Sequence, residues 1–341
     1  MTPDVLETGC EWTAADVADA DAWTEVLTRA EQDELEAAVA HAFSVSDDLL
    51  RVRRDDFPLP TLGPRLKAIE QDLMEGRGFV RLRGLPRDRW TNDQMCMAYW
   101  GIGMHLGRPW PQNAKGHLLG DVTDHGKDPG DPTIRGNEIG EAGLPLHCDG
   151  SDLVGLMCLR NGISGGLSIV CNSVALHNRL VRERPDLAAE LYKPQPFDFR
   201  GEQPPGRPGW YELPVFMRVG ERLFVRLIAP YILASQRHPD APRLTDKARE
   251  AIQWMQDHAQ SGEYQVKMAF QPGDIQFINN YHVLHGREPY RDDRAAGQIR
   301  HLKRLWLETE VLKERPGQFV NRLSEFWSRD LKISRMDVSP A

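Results

Sequence analysis

Five short apolar runs constrain this 341-residue chain more than any other feature: LVGLMCL (153–159), LSIVCNS (167–173), PVFMRV (214–219), RLFVRLI (222–228) and DIQFINN (274–280). Each is too short for a core helix, and turn residues bound several of them, so they read as strands. FVRLRGL (79–85) alternates and adds another. Helical patterns interrupt the series at 174–191 and 245–260, where Ile252 and Met255 face inwards. Many short strands with helices at the periphery predict a mainly β (α+β) sandwich or barrel, not an alternating βαβ sheet.

The first hundred residues read as mostly helical. Thr28-Arg29-Ala30-Glu31 has the form of a capping box ahead of Leu35, Ala38 and Val39, and Thr91 to Gln94 has the same form ahead of a helix towards Leu106. Leu66, Ile69 and Leu73 share one face of a helix over 64–75, with Gly76 just past its end. No stretch reads as a linker, so a single domain is expected over 1–341. It divides into an N-terminal helical region (1–77), a core (78–312) with a helical insert at about 174–260, and a C-terminal extension (313–341). DPGDPTIRGNEIGEAG (128–143) and GEQPPGRPGW (201–210) are long Pro/Gly loops. Loops of that length often cover sites, and with residues 110–120 they are expected to build a substrate pocket.

A net charge of −8, with no polybasic run, argues against nucleic acid as a partner, because phosphate binding needs a basic face. No run approaches the roughly 18 apolar residues of a membrane span, and the acidic N-terminus does not resemble a secretory signal. Cys10, Cys96, Cys148, Cys158 and Cys171 form no CxxC pair, and five irregularly spaced thiols fit a reducing cytoplasm better than a disulfide framework.

The chemistry concentrates in LPLHCDGSDLVGLMCLR (144–160). On a strand, residues two apart point the same way, so His147 and Asp149 project together while Cys148 points away. One imidazole and one carboxylate suit a divalent first-row metal but bind it weakly alone. PGDIQFINNYHVLHGR (272–287) offers the third ligand. His282 and His285 are three apart and face opposite ways on an extended chain. The flanking Gly286 and Arg287 favour His285 as the ligand and leave His282 to packing. Two histidines and a carboxylate on one face leave three coordination positions open, the arrangement of non-haem Fe(II) oxygenases. Further on, RHLKRLWL (300–307) alternates and places Arg300, Leu302, Arg304 and Trp306 on one face. Two arginines buried among Leu and Trp are costly without anionic partners, and guanidinium groups bind carboxylates as a fork. A dicarboxylate spanning metal and arginine satisfies that strand.

HCD (147–149), GGLS (165–168), FINNYHVLH (277–285) and RHLKR (300–304), in that order, resemble the motifs of the taurine dioxygenase-like (TauD/TfdA, also clavaminate synthase-like) family of Fe(II)/2-oxoglutarate oxygenases. The resemblance runs from about Gly78 to Leu307 and implies a double-stranded β-helix (jelly-roll) core. It implies His147, Asp149 and His285 as the catalytic iron ligands. It also implies Arg300, fifteen residues after His285, as the anchor for the distal carboxylate of 2-oxoglutarate, with Ser168 assisting where the family commonly has Thr. Arg304 matches a position that binds a substrate or co-substrate carboxylate in some members. Cys148 departs from the frequent Thr or Ser between the ligands.

The implied reaction consumes O2 and 2-oxoglutarate, releases succinate and CO2, and hydroxylates a C–H bond of a small molecule, with amino acids and carboxylate-bearing secondary metabolites as candidates. Desaturation or ring closure on the same cofactors depends on substrate placement, which the motifs do not fix. Two other classes compete. A non-catalytic jelly-roll binding protein would keep the metal site without turnover. A zinc hydrolase on the same ligands lacks an obvious general base and leaves both arginines unexplained. Homo-oligomerisation stays open.

Overall fold

The computed structural model describes residues 3–317 except 129, 139 and 141, together with the two-residue strand 334–335. Most of the expected 313–341 extension therefore lies outside the described residues. The apolar runs 153–159, 167–173 and 274–280 form strands of two facing sheets, whereas 214–219 and 222–228 pair with each other in a separate hairpin. In the larger sheet, Thr24–Val26, Phe79–Arg83, Ile275–Asn279, Leu153–Arg160, His301–Glu308 and His117–Thr123 lie side by side in that order, and Arg108–Trp110 also pairs with His301–Glu308. The smaller sheet runs Gln265–Met268, Ser168–Asn172, Val283–Arg287, Leu144–His147, antiparallel throughout.

Strand alternation sorts side chains between two cores. Phe79, Val122, Val154, Ile278 and Leu302 of the larger sheet meet Val170, Val266, Met268 and Val283 of the smaller one in a single apolar cluster between the sheets. On His301–Glu308, Leu305 and Leu307 turn the other way and join the cluster that contains the N-terminal helices. Helix Asn92–Leu106 contributes Tyr99 to that layer, where its hydroxyl accepts the backbone N–H of Leu305 at 3.2 Å. Gly155 permits this close packing, since a Cβ there would sit 2.5 Å from the Tyr99 hydroxyl and 2.7 Å from the Phe277 ring.

Both expected capping boxes form, Thr28 with Glu31 and Thr91 with Gln94. Two segments differ in detail from expectation. The helical pattern over 174–191 is two helices, Ser173–Glu183 and Pro185–Leu191. The break falls at Arg184 (φ −140, ψ 67) because a residue preceding proline is pushed out of the α region. In the N-terminal region, Thr24–Val26 is a strand parallel to Phe79–Arg83, a non-local pairing that three residues without alternation do not announce. Between Ser168–Asn172 and Gln265–Met268 the chain makes its insert. It contains hairpin Pro194–Asp198/Trp210–Pro214, hairpin Phe216–Val219/Arg222–Val225, and helices Ala229–Ala234 and Asp246–Ala259.

Candidate active site

His285 lies opposite His147 in the ladder between Val283–Arg287 and Leu144–His147. Ladder neighbours share a face, so the strand pairing delivers both imidazoles to one point. The ring centroids are 4.4 Å apart. Asp149, just past the strand end, places Oδ1 3.8 Å from His147 Nε2 and Oδ2 3.6 Å from His285 Nε2. One ligand atom from each residue lies within 4.8 Å of the others, and among the described residues these three are the only such group of His, Cys, Asp and Glu. Imidazole nitrogens and a carboxylate oxygen gathered on one point are the donor types that hold a divalent first-row ion.

The surroundings preset each ligand. His147 Nδ1 donates to the carbonyl of Pro145 at 2.8 Å, which fixes the tautomer and turns the Nε2 lone pair to the centre. Burial, reinforced by His285 opposite, pushes its pKa down to about 4, so the ring is neutral at pH 7 as a ligand must be. Burial alone would raise the pKa of Asp149, but the Arg304 guanidinium and the two imidazoles outweigh it and hold the carboxyl well below the usual range. Arg304 Nη1 and Trp306 Nε1 both donate to Asp149 Oδ2, at 3.1 and 2.9 Å, which leaves Oδ1 for an ion. The Asn280 carboxamide clamps the backbone here: it accepts from Asp149 N (2.7 Å) and donates to the carbonyls of Asp149 (2.9 Å) and Ser151 (2.7 Å).

From the triad a narrow cleft runs between the sheets past Val122, Leu156, Ser168 and Leu302 to Arg300. Arg300 is 3% exposed, its ring neighbour is Tyr290 at 5.2 Å, and its Nε and Nη1 are buried without partners. Among the described residues its one side-chain hydrogen bond is a long contact from Nη2 to the carbonyl of Gly166, 3.4 Å. Burial and the Arg287 guanidinium lower its pKa to about 10, which leaves it charged at neutral pH. Gly166 (φ +75) makes this packing possible, since a Cβ there would sit 2.9 Å from Arg300 Nε. Ser168 faces the same cleft but donates to Gln276 Oε1 at 3.0 Å. A buried cation with two idle donors at one end and a His-Asp-His face at the other fits an iron ion with a dicarboxylate keto acid.

The expected site residues therefore come together: the triad at one point, Arg300 and Ser168 along the cleft, Arg304 between them. Arg304 is engaged with Asp149, and its Nε donates to Gln112 Oε1 at 2.7 Å. His282 is buried, its Nε2 3.1 Å from the carbonyl of Leu223, in a packing role. Cys148 is fully buried outside the triad, and burial pushes its thiol up to about 12. Sequence reasoning missed three supporting groups. The Trp306 indole was foreshadowed by its place on the Arg300/Arg304 face, and Asn280 by its position two residues before His282. Gln112 carried no local signal, because its partner lies 192 residues away.

A second cavity of about 210 Å3 also reaches His147 and Asp149. Ile134, Arg135, Gly136, Ala142 and Gly143 of the 128–143 loop line it, so that loop does wall the site. Arg200, immediately before the 201–210 loop, lines it as well. From 110–120 the contribution is indirect: the Gln112 carbonyl accepts from Arg135 Nη1 at 2.9 Å.

Comparison with known proteins agrees with this geometry. The profile described as "Taurine catabolism dioxygenase TauD, TfdA family" matches residues 45–306. FR-33289 synthase of Streptomyces rubellomurinus is 30% identical over 314 residues, covering 89% of this chain and 91% of that protein. Enduracididine beta-hydroxylase of Streptomyces hygroscopicus is 26% identical over 265 residues, covering 67% and 72%. Among solved structures, an asparagine oxygenase complexed with Fe(II), 2S,3S-3-hydroxyasparagine and succinate superposes with a TM-score of 0.63 at 18% identity, covering 84% of this chain and 94% of that one. The non-heme iron oxygenase OrfP complexed with Fe and alpha-ketoglutaric acid gives the same values. These likenesses establish the jelly-roll fold expected from the motifs. With its profile match and its relatives covering most of the chain, the protein belongs to the taurine catabolism dioxygenase TauD, TfdA family.

Proposed function

We propose that this chain is an Fe(II)- and 2-oxoglutarate-dependent dioxygenase that hydroxylates a C–H bond of a small molecule. The observation that carries the reading is Arg300: a buried guanidinium with Nε and Nη1 unpartnered, in the cleft that begins at His147 and His285. An unpaired buried cation is expensive, and a keto acid carboxylate relieves it. The hydroxylase and oxygenase names of the relatives agree.

In this reading His147, Asp149 and His285 hold the ion, and Arg300 binds the far carboxylate of the keto acid with Ser168 beside it. Iron, 2-oxoglutarate and O2 together supply oxidative decarboxylation to succinate and CO2, coupled to insertion of one oxygen atom into the substrate C–H bond. Arg304 and Trp306 keep the Asp149 carboxylate charged and oriented, and Asn280 fixes the backbone that carries it. The larger cavity receives the substrate and presents it to the His147–Asp149 side of the centre. Ile134, Leu144 and Ile228 give it apolar walls.

The whole chain acts as one catalytic unit in this reading. A cytoplasmic setting agrees with five cysteines that all remain free and buried. Among the described residues, no helix is long and apolar enough to cross a membrane. Anaerobic titration with Fe(II) and 2-oxoglutarate tests the proposal. A visible metal-to-ligand charge-transfer band is expected, followed by succinate formation on admitting oxygen. A chain that binds Fe(II) but gives no band and no succinate would sink it.

A further inference from the structure

Two of the three ligands, His147 and His285, stand on paired strands, but Asp149 belongs to the connection 148–152 that joins Leu144–His147 to Leu153–Arg160. A connection has no ladder of its own, so its place depends on what other segments bond to it. Asn280 holds one side, through the three carboxamide bonds described above and through its N–H, which donates to the Asp152 carbonyl at 2.9 Å. The other side is held by the chain that leaves His301–Glu308. Trp306 grips Asp149, and three residues on the Thr309 N–H donates to Asp152 Oδ2 at 3.0 Å.

Asp152 is the hub of this second attachment. It is 2% exposed, and besides Thr309 its carboxylate accepts from the Tyr281 hydroxyl on Oδ1 (2.8 Å), from Arg315 Nε on Oδ1 (3.0 Å) and from Arg315 Nη2 on Oδ2. Arg315 is its one ion-pair partner among the described residues. The same guanidinium donates to the carbonyls of Thr309 (3.0 Å) and Leu312 (3.1 Å), so segment 309–315 curls round its own arginine. A two-bond fork on a buried carboxylate fixes orientation as well as charge. Tyr281 directly follows Asn280, so this fork fastens both short segments, 149–152 and 280–281, that set the Asp149 backbone. Asp152, Tyr281, Thr309 and Arg315 line neither the cleft towards Arg300 nor the larger cavity.

We propose that Arg315 is a positioning residue for the metal ligand Asp149: segment 309–315 is a strap that sets the ligand-bearing connection through the Arg315–Asp152 pair. The start of the strap is anchored separately, because Thr309 Oγ1 donates to Glu70 Oε1 on helix Leu62–Glu75. Losing Arg315 therefore frees the connection without releasing the strap. The inference rests on the metal centre of the reading above and adds a residue outside both cavities on which its assembly depends.

The test titrates Fe(II) alone, anaerobically and by calorimetry, into the full chain below the onset of melting, with folding checked by circular dichroism. Arg315→Met should weaken Fe(II) binding roughly tenfold, the lower end of what losing an outer partner costs a metal ligand. It also strands a buried carboxylate, which lowers stability. Asp152→Asn is therefore the second variant: it breaks the same fork without leaving a charge behind and should weaken Fe(II) binding by a similar factor. Arg83→Met is the structural control. Arg83 holds Asp274, 1% exposed, in an equivalent fork (2.8 and 2.7 Å) at the opposite end of Ile275–Asn279 from Asn280. That change should lower the melting temperature and leave Fe(II) affinity as in the parent chain. An Arg315→Met or Asp152→Asn chain that folds and binds Fe(II) like the parent, or an Arg83→Met chain that loses as much affinity, overturns the strap and leaves the oxygenase reading standing. A parent chain that takes up no Fe(II) overturns both.

Discussion

The Trp306 indole donates its Nε1–H to Oδ2 of Asp149 at 2.9 Å, on the oxygen that Arg304 also occupies. Two donors on one oxygen direct the other oxygen to the ion and set the carboxylate's rotation. Trp306→Phe keeps the apolar ring and deletes only the donor. Fe(II) affinity should then fall roughly 10- to 100-fold, the usual cost of losing such a partner to a metal ligand. The midpoint of the charge-transfer band in an anaerobic Fe(II) titration reads this directly. A midpoint unchanged from the parent chain would mean that Arg304 alone orients Asp149.

Arg300 offers a prediction with opposite signs in two assays. Without an anion its buried guanidinium has two idle donors, so Arg300→Met should raise the unfolding free energy of the ligand-free chain, by about 1 kcal/mol or more. The same change removes charge-assisted hydrogen bonds to the co-substrate and should weaken 2-oxoglutarate binding roughly 10- to 150-fold. Denaturant titration and keto acid titration are the two measurements. A destabilised ligand-free chain would show that Arg300 is satisfied by its own protein.

Gln112 ties two strands together, His117–Thr123 and His301–Glu308. Its Nε2 donates to the carbonyls of Leu118 and Arg304, both at 2.8 Å, and its Oε1 accepts from Arg304 Nε at 2.7 Å. Gln112→Leu fills the same space but strands two buried carbonyls and one guanidinium donor. Stability should drop by about 1–3 kcal/mol in urea titration. Because Arg304 then loses one of its two tethers, Fe(II) binding should weaken as well; a stability loss with unchanged Fe(II) affinity would limit Gln112 to a structural part.

How much of this site the sequence discloses depends on the range of the signal. His147 and Asp149 are legible because period-two alternation is a local rule, and Arg300 and Arg304 because charge on an otherwise apolar strand face is conspicuous. The jelly-roll followed from the motif resemblance, since short strands alone left sandwich and barrel open. Gln112, 192 residues from Arg304, carries no local mark. The Thr24–Val26 strand is invisible for a related reason: three residues have no period, and only the edge of Phe79–Arg83 makes them a strand.

Gly155 links the helical layer to the site and yields the last prediction. A Cβ at this position would lie 2.5 Å from the Tyr99 hydroxyl and 2.7 Å from the Phe277 ring, both fully buried, so neither neighbour has open space to move into. Gly155→Ala should therefore cost about 1–3 kcal/mol as an overpacked core. The Tyr99 hydroxyl accepts from Leu305 N, next to Arg304 on the strand, so pressure on Tyr99 bears on the strand that holds Asp149. Tyr99→Phe removes the obstructing oxygen, and the double variant should lose less than the sum of the single losses, with a coupling of about 0.5–3 kcal/mol. Denaturant titration of the four chains measures that coupling. Strict additivity would place the clash at Phe277 instead and disconnect the helix from the site.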